Sequence, residues 1–270
     1  MDQARQALAT AAARSRAMPA TTRPHDKDFP IVCVGGSAGG LDAYIRLLKN
    51  LPPDMGVALV IVNHMRSLPT QLHAILPQFT SMPVELITER LVIEPDHVFI
   101  IPENRDLHVA DGEFHLAPIS KPRGWPDVIT VFLRSLTRCW DGKLVAVIVS
   151  GYDGDGAAAL CGIQQVGGIT IAQQPATARQ PDMPRTAIAS GCIDLVLSPE
   201  NIARELVRIA RADAALPRDA TGKPIDNAGQ QRPADHDCSG GATRAAGTGT
   251  DSSAASRVAS SSATFTGLVR

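Results

Sequence analysis

Six short apolar runs do most to limit what this chain can fold into: IVCVG (31–35), VALVIV (57–62), HVFII (97–101), LVAVIV (144–149), ITIA (169–172) and DLVL (194–197). They are continuous rather than alternating, so each has apolar side chains on both faces of a strand. That pattern belongs to parallel sheets covered by helices on both sides. Amphipathic segments separate several of the runs. Leu41, Ile45, Leu48 and Leu51 share one helical face, and further helical patterns cover 70–79, 127–139, 155–166 and 199–212. Strand–helix alternation predicts an α/β fold: a three-layer α/β/α sandwich around a mostly parallel, doubly wound sheet with right-handed crossovers. One segment breaks the pattern. DLHVADGEFHLAP (106–118) alternates around Asp111-Gly112, a strong hairpin signal, and predicts an antiparallel hairpin at one edge.

The pattern covers only part of the chain. Residues 1–28 are Ala- and Arg-rich without the contiguous apolar core of a secretory signal, and read as a flexible leader. Residues 214–270 are dominated by Ala, Gly, Ser, Thr and Asp, too little apolar surface to offset chain entropy, and read as a disordered tail. One compact domain is expected over 29–213. A net charge of -1, with no concentration of Lys and Arg in the ordered part, argues against a nucleic-acid partner. No apolar run approaches the roughly 18 residues of a membrane span. The five cysteines, Cys33, Cys139, Cys161, Cys192 and Cys238, stand singly with no disulfide or metal spacing. They read as reduced residues of a cytoplasmic protein.

In open α/β sheets, ligands bind beyond the carboxyl ends of the strands, so the residues following each run carry the functional reading. IVCVG is followed by Gly36-Ser37-Ala38-Gly39-Gly40, VALVIV by Asn63-His64-Met65, and LVAVIV by Ser150-Gly151-Tyr152-Asp153-Gly154-Asp155-Gly156. A dinucleotide fingerprint fails because Ser37 takes the place of the second glycine and no acidic residue ends the second strand. A Walker loop fails for lack of Gly-Lys-Ser/Thr. Gly35-Gly36-Ser37-Ala38-Gly39 does satisfy the G-x-S-x-G turn that exposes a serine at a helix N-terminus. Three readings of it stand: a nucleophile, an anion cradle, or a structural turn. His64 is the histidine that topology puts at the same edge as Ser37, and either Asp153 or Asp155 supplies an acid. Serine, histidine and aspartate together are the parts of a nucleophile–base–orienter triad. The two aspartates are also a candidate for a divalent cation, but no third carboxylate accompanies them.

These segments resemble the catalytic domain of CheB, the protein-glutamate methylesterase family of bacterial chemotaxis. The matching pieces are VGGSAGGLDA (34–43), IVNHM (61–65), EPDHVFIIPENRDL (94–107), SGYDGDGAAAL (150–160), TIAQQPATA (170–178) and DMPRTAIASG (182–191). The resemblance implies Ser37 as nucleophile, His64 as base and Asp155 rather than Asp153 as acid, with no cofactor and no metal. It implies oxyanion or substrate contacts at Gly36, Ala38 and the Tyr152 backbone, and an active-site rim that includes Met183 and Arg185. It further implies methylated chemoreceptor cytoplasmic helices as substrate, glutamine deamidation as a side activity, and a receptor methyltransferase or separate response regulator as further partners. The family's receiver domain cannot fit in thirty residues, so constitutive activity or an external regulator is expected. Two departures stand out. Asp153 replaces a glycine, which strains the loop if φ is positive there. KPRGWPDVITVF (121–132) lacks the usual element before its helix, although Asp127 keeps the acidic position. The loop departure motivates an alternative reading, a catalytically weak regulatory or binding module.

Overall fold

The computed structural model describes residues 29–63, 71–121 and 126–215. The expected leader, most of the expected tail, and His64 lie outside the described residues.

Seven parallel strands form the central sheet in the order β3-β4-β2-β1-β7-β8-β9. They are β1 (Ile31–Gly36), β2 (Ala58–Asn63), β3 (Val84–Leu86), β4 (Val98–Ile100), β7 (Leu144–Ile148), β8 (Ile169–Gln173) and β9 (Leu195–Leu197). From β1 the chain passes to β2, then to the edge strand β3 and back to β4 between them, and later adds β7, β8 and β9 on the other side of β1. The order therefore reverses beside β1, and a doubly wound sheet opens its crevice at such a point.

Strand residues alternate between two cores. Ile31, Cys33, Val60, Val62, Phe99, Ala146 and Ile148 face one side, where Ile129, Phe132 and Leu136 of α3 (Val128–Cys139) cover them. Leu160 and Ile163 of α4 (Leu160–Gln165), and Met183 and Ala187 of α5 (Asp182–Ala189), complete that layer. Val32, Val34, Leu59, Ile61, Val145 and Val147 face the other side. There they meet α1 (Gly40–Leu48), α6 (Pro199–Ala214) and the short α2 (Leu72–Ile75). Apart from DLVL at the sheet edge, where Val196 is 43% exposed, the runs are buried on both faces, and this is why they show no alternation.

The hairpin is present as β5 (Arg105–Ala110) and β6 (Glu113–Pro118). Asp111 and Gly112 at its tip have φ of 53° and 79°, both positive as a type I′ turn demands. It forms its own two-stranded sheet and does not extend the main one. The physical reason lies on α3: the Ser135 hydroxyl accepts the Val109 N–H at 2.8 Å and occupies the backbone of β5. Leu107, Val109 and Phe114 pack into the same core as α3.

Two features depart from the sequence reading. Strand β3 was not expected; three residues are too few to show a period. The cysteines expected to be reduced include a disulfide, Cys161–Cys192, with Cα atoms 5.1 Å apart. The fold brings the start of α4 beside the end of α5, a proximity that a separation of 31 residues does not announce. Cys33 is a buried thiol outside this disulfide. Among the described residues no helix is long and apolar enough to cross a membrane.

Candidate functional site

The site is built where the strand order reverses. Gly36 ends β1 and pairs in register with Asn63, the last residue of β2. His64 follows Asn63 directly in the chain. On the other side of β1, Gly35 pairs with Ile148 of β7, and the Ser37 N–H donates to the Ser150 carbonyl at 2.9 Å. The segments that bear Ser37, His64 and Asp155 thus leave three adjacent strands at one edge.

Ser37 is half-buried between β1 and α1. The turn is tight: the Gly40 N–H returns to the Ser37 carbonyl at 2.9 Å, and Gly39 has φ of 75°. A side chain at Gly39 would be both strained and blocked, since its Cβ would lie 2.7 Å from the Ser150 hydroxyl oxygen. Gly36 is a packing glycine, with the Tyr44 hydroxyl 2.5 Å from where its Cβ would stand. That hydroxyl donates to Asn63 Oδ1 at 3.3 Å and ties α1 to the end of β2. Ala38 is half-buried, and its carbonyl accepts the Ser150 hydroxyl at 2.8 Å.

Asp155 is buried, 6% exposed. Its carboxylate accepts the Ile129 N–H at 2.9 Å, the Thr130 N–H at 3.0 Å and the Thr130 hydroxyl at 2.8 Å. It therefore caps the N-terminus of α3 from a distant loop, where unpaired N–H groups and the helix dipole favour negative charge. Asp127, at the N-cap position itself, makes no side-chain cap and pairs with Lys121. Beneath Asp155 lies Cys33, whose thiol is pushed above its usual range, first by burial and then by the Asp155 charge.

Asp153 does not carry the expected strain. The non-glycine residues with positive φ are Arg90, Asp96, Asn104 and Asp111, and Asp153 is not among them. Its Oδ1 accepts the Asp155 N–H at 3.0 Å, a local turn that holds the loop. Asp153, Asp155, Asp127 and Arg134 also line a cavity of about 320 Å³. Among the described residues no group of three or more His, Cys, Asp and Glu side chains is placed to hold a metal ion.

Tyr152 is 58% exposed beside this loop. Met183 is fully buried: its Cε lies 2.7 Å from where a Gly151 Cβ would stand, and its N–H donates to the Gly151 carbonyl. Met183 thus supports the loop from below rather than lining an open rim. Arg185 is exposed and pairs with Asp182 at 3.7 Å. Sequence reading overlooked Thr130 and Ser150 as site residues. Each acts on a partner far away in the chain, and no local pattern announces either one.

A family model described as "CheB methylesterase" matches residues 32–206. A Burkholderia pseudomallei protein named protein-glutamate methylesterase/protein-glutamine glutaminase 2 is 31% identical over 214 residues, 78% of this chain and 62% of the relative. The chain thus spans less than two thirds of that relative's length. A Leptospira interrogans protein, named a putative protein-glutamate methylesterase/protein-glutamine glutaminase, is 30% identical over 184 residues. That alignment covers 67% of this chain and 95% of the relative. The crystal structure of the Thermotoga maritima CheB methylesterase catalytic domain superposes with a TM-score of 0.61 at 26% identity, covering 66% of this chain and 97% of that one.

Proposed function

The chain belongs to the CheB methylesterase family, and from that premise we propose that it hydrolyses glutamyl methyl esters on chemoreceptor cytoplasmic helices. The observation that carries the reading is the convergence at β1. Gly36 stands opposite Asn63, and Ser37 is bonded to Ser150, so the segments bearing the three candidate side chains start from adjacent strands.

In this reading the Ser37 hydroxyl attacks the ester carbonyl while His64 takes its proton. The tetrahedral intermediate collapses as His64 returns the proton to the departing methoxide, and methanol leaves. Water, deprotonated by His64, then cleaves the acyl-enzyme and releases the glutamate side chain and free Ser37. Asp155 orients the imidazole and stabilises its protonated form. Because α3 holds the Asp155 carboxylate through three hydrogen bonds, it serves that role with little reorganisation. The N–H groups of Ser37 and Gly151 are already given to Ser150 and Gln180. The family resemblance points to the backbone N–H groups of Ala38 and Tyr152 as the oxyanion donors. A receptor glutamine enters by the same route, with ammonia as leaving group. A receptor methyltransferase or a separate response regulator completes the set of proposed partners, and the cytoplasm is the proposed compartment.

The test is methanol release from receptor methylated on its glutamates. The purified wild-type chain is expected to release it; intact esters after prolonged incubation would refute the reading.

A further inference from the structure

We propose that Ser150 is a positioning residue whose hydroxyl sets the orientation of the Ala38–Gly39 peptide and thereby aligns Ser37. The inference rests on the hydrolase reading above.

Ser150 is completely buried, and all of its polar groups are engaged. Its N–H donates to Gln173 Oε1 at 3.0 Å, and its carbonyl accepts the Ser37 N–H at 2.9 Å. Its hydroxyl donates to the Ala38 carbonyl at 2.8 Å and accepts the Gln180 N–H at 2.9 Å. One residue therefore grips the nucleophile turn at two peptides, one on each side of the Ser37–Ala38 peptide. It also anchors that turn to the end of β8 and to the segment leading into α5. Gln173 is itself 1% exposed, and its amide nitrogen donates to the Thr177 carbonyl at 3.0 Å, so the anchor is rigid.

The hydroxyl has a specific consequence for the turn. With the Ala38 carbonyl drawn onto Ser150, the Gly39 N–H across the trans peptide points the opposite way, away from Ser150. Without that donor the peptide is free to rotate, because Gly39 has no side chain to resist it. Rotation would turn a carbonyl dipole toward the side where the Gly39 N–H now stands and would shift the Ala38 backbone, whose N–H is assigned to the substrate oxyanion. The hydroxyl also fills the space that a Gly39 side chain would need, so the turn and Ser150 are shaped to each other. The backbone bond to the Ser150 carbonyl would survive loss of the hydroxyl. The expected defect is therefore alignment of the nucleophile rather than collapse of the strand.

Steady-state methanol release tests this with Ser150→Ala, Ser150→Thr and Ser37→Ala side by side, each with its melting temperature. Ser150→Ala is expected to lower kcat about 10²-fold with KM within about threefold, the signature of lost alignment. Ser150→Thr keeps the hydroxyl and is expected to recover kcat to within about fivefold of wild type. If Ser150→Ala does not fold, Ser150→Cys, which fills the same space with a weak donor, takes its place with the same expectation. Wild-type kcat in Ser150→Ala or Ser150→Cys overturns the proposal. So does a Ser150→Thr variant that melts like wild type yet has the kcat of Ser150→Ala. Near-normal release by Ser37→Ala would instead overturn the hydrolase reading beneath it, so the two failures are told apart.

Discussion

Thr130 and Asp155 are joined twice: the Thr130 N–H and the Thr130 hydroxyl both donate to Asp155 Oδ1, at 3.0 and 2.8 Å. The same hydroxyl accepts the Gly156 N–H at 2.9 Å. A helix and a loop 25 residues further along thereby hold the proposed triad acid in one orientation. Thr130→Val keeps the shape and removes both hydroxyl contacts. It is expected to cost about 1–3 kcal/mol of stability, since it leaves the buried Gly156 N–H unpaired. It should also lower kcat more than it changes KM. Thermal melts and methanol-release kinetics check both; an unchanged kcat would show that the hydroxyl does not orient the acid.

Asp153 supports the loop rather than disturbing it. Its bond to the Asp155 N–H is lost in Asp153→Gly, which also frees the unfolded chain. The variant is expected to lose about 1 kcal/mol of stability and to be less active than wild type. Higher activity in Asp153→Gly would return Asp153 to the role of an inhibitory charge.

Arg46 on α1 grips Glu200 at the start of α6, with Nε 2.7 Å from Oε1 and Nη2 3.1 Å from Oε2. The hydrogen bond from Arg46 is the chief reason that the Glu200 carboxyl is drawn down to about 2 from an ordinary 4.5. A pKa depressed on folding means that the ion pair contributes its full stability above 4.5 and loses it as pH falls toward 2. Both side chains are about one third exposed, so screening holds the contribution below about 1 kcal/mol. Glu200→Gln is expected to flatten the melting temperature against pH in that window, relative to wild type. Parallel curves would contradict it.

The Cys161–Cys192 disulfide closes a separation of 31 residues between α4 and the end of α5. In the chain-entropy account such a loop contributes about 3–4 kcal/mol. Reduction of the oxidised protein should lower its melting temperature by on the order of 10 °C. Cys161→Ser should melt at the lower temperature with or without reductant. A wild-type melt indifferent to reductant would show that the bridge is not formed in solution.

Much of this fold is legible in the sequence because burial on both faces leaves a direct trace. IVCVG and LVAVIV read as covered parallel strands, and Asp111-Gly112 reads as a hairpin tip because only a few residue pairs accept two positive φ values. What the sequence hides are pairings between distant segments. The VEL strand is too short for a period, Cys161 gives no hint of Cys192, and the capping of α3 comes from Asp155 rather than from Asp127 beside it. The strand ends point to the candidate site, since β2, β1 and β7 lie side by side and parallel, with their carboxyl ends at one edge. Its fine alignment rests on Thr130 and Ser150, whose partners are too far away in sequence for any motif to reveal.

The measurement that bears most directly on the account is methanol release from methylated receptor by Ser37→Ala, compared with wild type in one assay. Removal of the nucleophile is expected to lower kcat by about 10⁴-fold or more while the melting temperature stays near that of wild type. Release by Ser37→Ala at a rate near wild type would contradict the assignment of Ser37 as the group that attacks the ester.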